Sequence, residues 1–544
     1  MISAHIYDPV NRRIIDGTIQ IVDGRISAIE PAAEPLPADA PCVLPGFVDA
    51  HIHIESSMLL PENFASAAVP FGTVATVSDP HEIANVLGME GVAFMAEHGR
   101  KSPMHFCFGA PSCVPSTGFE TAGATLDAEA VAQLMQRQDI GYLAEVMAVP
   151  SVIYQEPDMM AKLQAAKNCN KPIDGHAPSV DLDTLTKYAA AGITTNHECT
   201  TLGEGRANIR QGIKVLLREG SAAKDFDALM PLIAESPDMV MFCSDDKHPD
   251  ELVKGHINLL VKRALEAGMP LWNVLQAASV NPVRHYNLPV GLLQVGDSAD
   301  FIVVDNLRNL AVTDTYICGI PYNNSHPLAV EDTTHIFAPN NFHAQPLSEE
   351  DLRILPQGDK MRCIVARDRM LLTDSITVTP KVDQDNVVSD TQNDVLKIVV
   401  YNRYDPGAKP AIGFIRGFGL KAGALGATVA HDSHNIIAVG ATDQAIVSVV
   451  NQLVAMKGGL AVCDREGKLQ SLPLPVAGLI SLQPAQQVAE DFTLLTHHLL
   501  AQGCRLEAPF MTLGFMALPV IPALKMTDKG LFRYDTFNHT PLFE

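Results

Sequence analysis

Two histidines, His51 and His53, stand one residue apart in the segment GFVDAHIHIE. On an extended backbone alternate side chains share a face, so both imidazoles point the same way and can hold one metal ion. Four more residues of ligating type sit in or at the end of apolar, strand-like runs. They are Glu145 in GYLAEVMAV, His176 in PIDGHAP, His197 closing ITTNH and Asp245 closing MVMFCSD. Singly, each has a bland reading as a surface histidine, a satisfied polar group or a salt-bridge partner. Together they give five strand ends that each carry a His, Glu or Asp, an order that chance explains poorly. Glu145 is the most telling, because an unpaired carboxylate is costly to bury and a metal ion would compensate it.

The spacing points to two metal ions about 3.5–4 Å apart. His51, His53 and Asp245 are expected to hold one, His176 and His197 the other, with Glu145 bridging. A donor set of nitrogen and oxygen without thiolate suits manganese, iron or zinc. Such ions bring the pKa of a shared water towards neutrality, and Asp245 is placed to take its proton and pass it to a leaving group.

These residues need strands to carry them. From Pro45 to His285, short apolar runs alternate with helix-like segments. The runs include Gly72–Val77 and Gly141–Met147; the helical segments include Leu126–Arg137 and Asp158–Ala166. Such alternation over about 240 residues suggests α/β architecture with a (β/α)8 TIM-like barrel over 46–285. No G-x-G-x-x-G follows a strand, which disfavours a doubly wound sheet. Before the barrel, Thr18–Val22 and Arg25–Ile29 alternate around Asp23-Gly24, a hairpin signal. Strand-like stretches at Val295–Asp305 and Asp314–Cys318 return after it. Residues 1–45 with 286–325 are therefore expected to form a split β-sandwich. Residues 323–350 read as a loop-like linker, and 350–544 as a C-terminal α+β domain. In that domain Val395–Tyr401 and Leu460–Cys463 are strand candidates. Between them, Thr442 reads as the N-cap of an amphipathic helix ending near Lys457.

Composition narrows the class. The chain has 544 residues, is 47% hydrophobic and carries a net charge of −23. A broad basic surface for nucleic acid is excluded, while a neutral small molecule is not. The ten cysteines never form C-x-x-C and sit mostly in apolar runs, as expected of a reduced, cytoplasmic protein. No apolar run reaches the length of a membrane span, and the opening residues lack a signal-peptide layout.

The chain resembles the amidohydrolase superfamily and, within it, bacterial adenine deaminases. The order His-x-His, carboxylate, His, His, Asp carries the first resemblance. The second rests on PGFVDAHIHIESSM (45–58), SDPHEIANVLG (78–88), PSCVP (111–115), DGHAP (174–178), NHECT (196–200), SDD (244–246), RGFGL (416–420), HDSHNI (431–436), LPLPVAGLIS (472–481) and LPVIPALKMTDKGLF (518–532). The resemblance implies hydrolytic deamination of adenine to hypoxanthine and ammonia at a binuclear manganese site, with iron able to occupy the same site. A homodimer or larger homo-oligomer is expected.

His81 and Glu82, in a loop after the second strand, become candidates for contacting the purine or protonating its N1. The alternative is a helix start at Asp79-Pro80. His431, Asp432 and His434 either close over the substrate, hold a further ion or form a structural hydrogen-bond cluster. Glu55 and Ser56, with Ser57, are expected to order the His51–His53 pair, and Lys247 and His248 to lie on the surface or in a loop.

Rival chemistries fit less well. Zinc nucleobase deaminases of the P-C-x-x-C type lack their cysteine pair here. Adenosine deaminases resemble GHAGE where this chain reads GHAPSVD. A cyclic-amide hydrolase would commonly bridge its metals with a carboxylated lysine, where Glu145 stands instead. A scaffold with a degenerate barrel would have lost ligands, and all six are present.

Overall fold

The computed structural model describes residues 2–544. Eight parallel strands carry the candidate residues: β1 (Phe47–Ile52), β2 (Thr73–Ser78), β3 (His105–Ala110), β4 (Ile140–Val146), β5 (Ile173–Gly175), β6 (Thr195–Asn196), β7 (Lys214–Arg218) and β8 (Val240–Cys243). β1 to β5 form one parallel sheet in sequence order, and β6 to β8 a second. The sheets meet at both edges. Thr194 N donates to Ile173 O (2.8 Å) beside β5. On the other side Asp245 N donates to His51 O (2.9 Å) and His53 N to Asp245 O (3.2 Å).

The strands are short and apolar, and β1, β2 and β8 are buried along their whole length, as parallel strands covered by crossover helices must be. Among those helices, Ala128–Met135 starts at Asp127, whose side chain accepts the Ala130 N–H (2.9 Å). β3 and β7 were not singled out from sequence. In β7 only three apolar residues lie between Lys214 and Arg218, too few for a periodic signal.

The predicted N-terminal hairpin forms from Arg13–Val22 and Arg25–Pro31. Asp23 (φ 49°) and Gly24 (φ 76°) both adopt positive φ, as a type I′ turn demands. A Cβ on Gly24 would lie 2.8 Å from the Cys318 carbonyl oxygen. Residues 2–45 and 301–322 do pair across the intervening chain, in one seven-stranded sheet. Phe301–Val304 lies against Cys42–Pro45. The sheet curls back, so that Ile26 N donates to Asp297 O and Ala299 N to Gly24 O (both 2.9 Å). Ile6, Ile19, Ile26, Val43 and Phe301 fill its interior.

Between Tyr322 and Glu349 there is no strand or helix. Beyond it, eight strands form a largely antiparallel sheet flanked by the helices Asp443–Met456 and Ala485–Ala501. Thr442 caps the first helix by accepting the Ala445 N–H (3.2 Å), and Lys457 ends it in the left-handed region. The loop holding His431–Asn435 connects two fully buried strands, Ala424–Ala427 and Ile436–Gly440.

Candidate metal centre

All six predicted ligands converge at the C-terminal ends of the parallel strands. His51 lies in β1 and His53 just after it; Glu145 lies near the end of β4; His176, His197 and Asp245 follow β5, β6 and β8. Glu145 is the hub. Its Oε2 lies 2.9 Å from His176 Nδ1, 3.1 Å from His197 Nε2 and 4.0 Å from His51 Nε2. Its Oε1 lies 3.5 Å from His53 Nε2 and 3.3 Å from His81 Nδ1. Asp245 Oδ1 sits 3.4 Å from His51 Nε2 and 3.2 Å from His53 Nε2. Glu145 thus turns Oε2 towards His176, His197 and, more distantly, His51, and Oε1 towards His53 and His81, so the two histidines expected to share one ion face different oxygens.

Two observations fit these residues to divalent cations. His51 is fully buried, yet neither ring nitrogen has a hydrogen-bond partner; His176 Nε2 and His81 Nδ1 are likewise unpartnered. Buried polar atoms are rarely left so unless something else binds them. The donors are all nitrogen and oxygen, the set that borderline divalent ions take.

Electrostatics agree with this. Burial favours a neutral Glu145, but His176 and His197 outweigh it and hold the carboxyl well below its usual range. Burial likewise opposes the charged form of His197, and Glu145 and Glu198 push it up to about 10. The carboxylate of Glu145 is therefore held ionised among its histidines.

Ser56 N donates to His53 O (3.1 Å), but the side chains of Glu55 and Ser56 make no hydrogen bond to the His51–His53 pair. His53 Nδ1 bonds the Asp79 carbonyl (3.1 Å), leaving Nε2 to face the centre. Asp49 accepts the amides of His51 (3.3 Å) and Ser244 (3.0 Å), and pairs with His256 (2.8 Å). Glu55 instead accepts the Ile83 amide (3.2 Å), and the Ser56 hydroxyl donates to Asp246. Buried Glu55 is pushed up to about 7, chiefly by desolvation.

Several groups were not read from sequence. Arg218, at the end of β7, is almost fully buried and reaches three carboxylates. It forks onto Glu198, donates to Asp245 Oδ2 (3.0 Å) and holds Asp225 Oδ2 (2.9 Å). Glu198 lies 3.4 Å from His197 Nε2 and 3.7 Å from His176 Nδ1. Its signal was visible in NHECT as an acid directly after a strand-end histidine. Arg218 had none beyond closing a short apolar run.

Glu82 lines the cavity over the centre, and both of its oxygens are paired. One oxygen pairs with His431 Nδ1 and the other with His434 Nε2. The C-terminal loop therefore clamps a residue of the parallel-strand unit. Asp432 lies 3.8 Å from His81 Nε2. Lys247 and His248, expected on the surface or in a loop, lie in the loop after β8 and are buried. Asp245 has φ 57°, and this tight turn carries the following residues inward.

The cavity over the centre is small, about 20 Å³, room for roughly one water. Histidines and carboxylates line its floor. Leu371, Phe515, Leu518 and Ile521 form an apolar roof from the C-terminal region, where Phe515 stacks on His431 at 4.3 Å.

Family comparisons are consistent along the chain. The amidohydrolase family matches residues 42–324, and the adenine deaminase C-terminal domain residues 370–538. The adenine deaminase of Salinibacter ruber is 50% identical, aligned over 100% of this chain and 98% of that protein. That of Methanosarcina mazei is 47% identical over 99% of this chain and 98% of that protein. That of Borreliella burgdorferi is 42% identical over 98% of each. With a polar centre at the strand ends, a C-terminal roof and relatives matched from end to end, the chain belongs to the adenine deaminase family of amidohydrolases.

Proposed function

We propose that the chain hydrolyses adenine to hypoxanthine and ammonia at a two-metal centre held by His51, His53, Glu145, His176, His197 and Asp245. The observation that carries this reading is the convergence of those six side chains around Glu145 in a member of the adenine deaminase family. Manganese is the preferred occupant, and iron or zinc suits the same donors. We read the eight parallel strands as one (β/α)8 barrel over 46–285, with 1–45 and 286–325 as a composite β unit and 350–544 as a C-terminal domain. A cytoplasmic homo-oligomer acting on a small molecule completes the proposal. Among the described residues, no helix is long and apolar enough to cross a membrane.

Bound metal would bring the attacking water's pKa towards neutrality. The remaining work belongs to the protein. Burial favours a neutral Asp245, but His51, His53, His197 and Arg218 hold it well below the usual carboxylate range. It is thus ionised and oriented to accept the water's proton and deliver it to the departing amine. Burial and His53 disfavour a charged His81, yet Asp79, Glu82 and Asp432 raise it well above its ordinary value. It can therefore donate a proton from Nε2 to purine N1. Oxygen is added at C6, the C6–N6 bond breaks and ammonia leaves, and the proton of the added hydroxyl returns to His81 as the C6 carbonyl forms. Glu82, clamped by two histidines, positions His81 and the C-terminal loop.

A purine cannot enter a 20 Å³ cavity unless the roof moves. Ile521→Ala removes an apolar contact worth about 1.5–3 kcal/mol. The expected result is a KM for adenine raised about tenfold or more, with metal content unchanged by elemental analysis.

The central test supplies manganese during expression, withholds iron, and measures metal per chain and ammonia release from adenine, adenosine and cytosine. Two ions and turnover of adenine alone are expected. Turnover of a cyclic amide with none of adenine would overturn the reading.

A further inference from the structure

A second cavity lies behind the strand end that carries Asp245. It has a volume of about 220 Å³ and lies between the loops after β7 and β8 and the helix Ile257–Glu266. Lys224, Lys247, Lys254 and Arg263 line it, with Glu219 and Glu251. Four cations face two carboxylates, in a chain whose net charge is −23.

Both carboxylates are already engaged. Arg263 forks onto Glu219 (2.9 and 2.8 Å), and Glu251 accepts from Ser221 (2.7 Å) and Lys224 (3.1 Å). Lys247 is different. Its side chain is 94% buried, since only 6% is exposed. Among the described residues its ammonium has no hydrogen bond and no ion pair, although Lys224 beside it has two and Lys254 one. The stem of Lys247 is buried while its ammonium opens onto the cavity, with Glu251 and Glu219 as the nearest opposite charges but neither in direct contact; an anion entering the cavity would supply a direct partner.

We propose that this cavity is a binding site for a small phosphate-type oxyanion, held chiefly by Lys247. Ammonium and guanidinium groups around a concave site match the spread charge and several acceptor oxygens of such an ion. The volume is below the roughly 300–1,000 Å³ of sites for larger ligands. It suits inorganic phosphate or the phosphate end of a small monoester. The site is separate from the metal centre and does not depend on which base the enzyme deaminates.

The test is calorimetric titration of the manganese-loaded full chain, without adenine, using inorganic phosphate and, separately, glycerol phosphate. Wild-type protein is expected to bind phosphate with a dissociation constant in the millimolar range or tighter. Lys247→Met keeps the aliphatic stem and removes the charge; it is expected to weaken binding about tenfold or more. Lys254→Gln, at a largely exposed position, should weaken it about two- to fivefold. This second variant keeps the test valid if the first fails to fold. Glycerol phosphate binding that depends on Lys247 would assign the site to phosphate monoesters, and binding of phosphate alone to the free ion. Absence of binding to wild-type protein would overturn the proposal. So would unchanged affinity in both variants, which would place the phosphate elsewhere, such as at the metal centre.

Discussion

Glutamine in place of Glu145 is expected to yield a folded protein that loses its metal and almost all adenine turnover. Five histidines surround this carboxylate, three near Oε2 and two near Oε1. An amide of the same shape keeps one acceptor oxygen but puts an NH2 group against imidazole nitrogens and removes the negative charge. Neither side of the cluster would then be bridged. A fall in kcat/KM of about 10³-fold or more is expected, equivalent to about 4 kcal/mol of transition-state stabilisation. Metal per chain should fall in parallel, while the circular dichroism spectrum stays native. A variant that keeps two ions and full turnover would remove Glu145 from the bridging position.

Methionine in place of Arg218 is expected to damage both stability and chemistry. The guanidinium is the shared partner of Glu198, Asp225 and Asp245. Removing it leaves buried carboxylates without compensation, a change that typically costs about 3–5 kcal/mol, readable as a lower urea midpoint. The pH dependence has a definite sign. Burial favours neutral Glu198, but Arg218 and the neighbouring histidines hold it well below the usual carboxylate range; Asp245 is depressed as well. Stability from a depressed carboxylate is present above its unfolded pKa and is lost as pH falls through the lower folded pKa. Without Arg218 those folded values rise. The acid loss of stability, and the acid limb of kcat/KM, should therefore move to higher pH. Arg218→Lys restores charge but not the fork, so it should recover stability better than turnover. An acid limb identical to wild type in Arg218→Met would show that Arg218 does not govern these carboxylates.

The candidate ligand set was legible because metal chemistry uses few residue types and strands impose a simple period. His51 and His53 follow from alternation alone. Glu145 follows from the cost of a carboxylate in an apolar run. The hairpin at Asp23-Gly24 and the cap at Thr442 were legible for the same local reasons: a positive-φ turn and a side-chain acceptor for an N-terminal amide. For Glu55 and Ser56, nearness in sequence gave a backbone contact with His53 but did not fix where the side chains go. Their partners are Ile83 and Asp246.

What the sequence determined by itself was therefore local: the order and identity of the candidate ligating residues, the alternation of strand and helix, and the small-molecule class left open by an acidic chain. The tertiary structure decided the long-range pairings. Arg218 meets Glu198 and Asp245 across three strands, Glu82 is clamped by His431 and His434 from the far end of the chain, and Lys247 turns inward to an unpaired position. The physical reason is that charge partnership depends on distance in space. Residues about 350 apart in sequence become neighbours only when hydrophobic burial has brought their elements together.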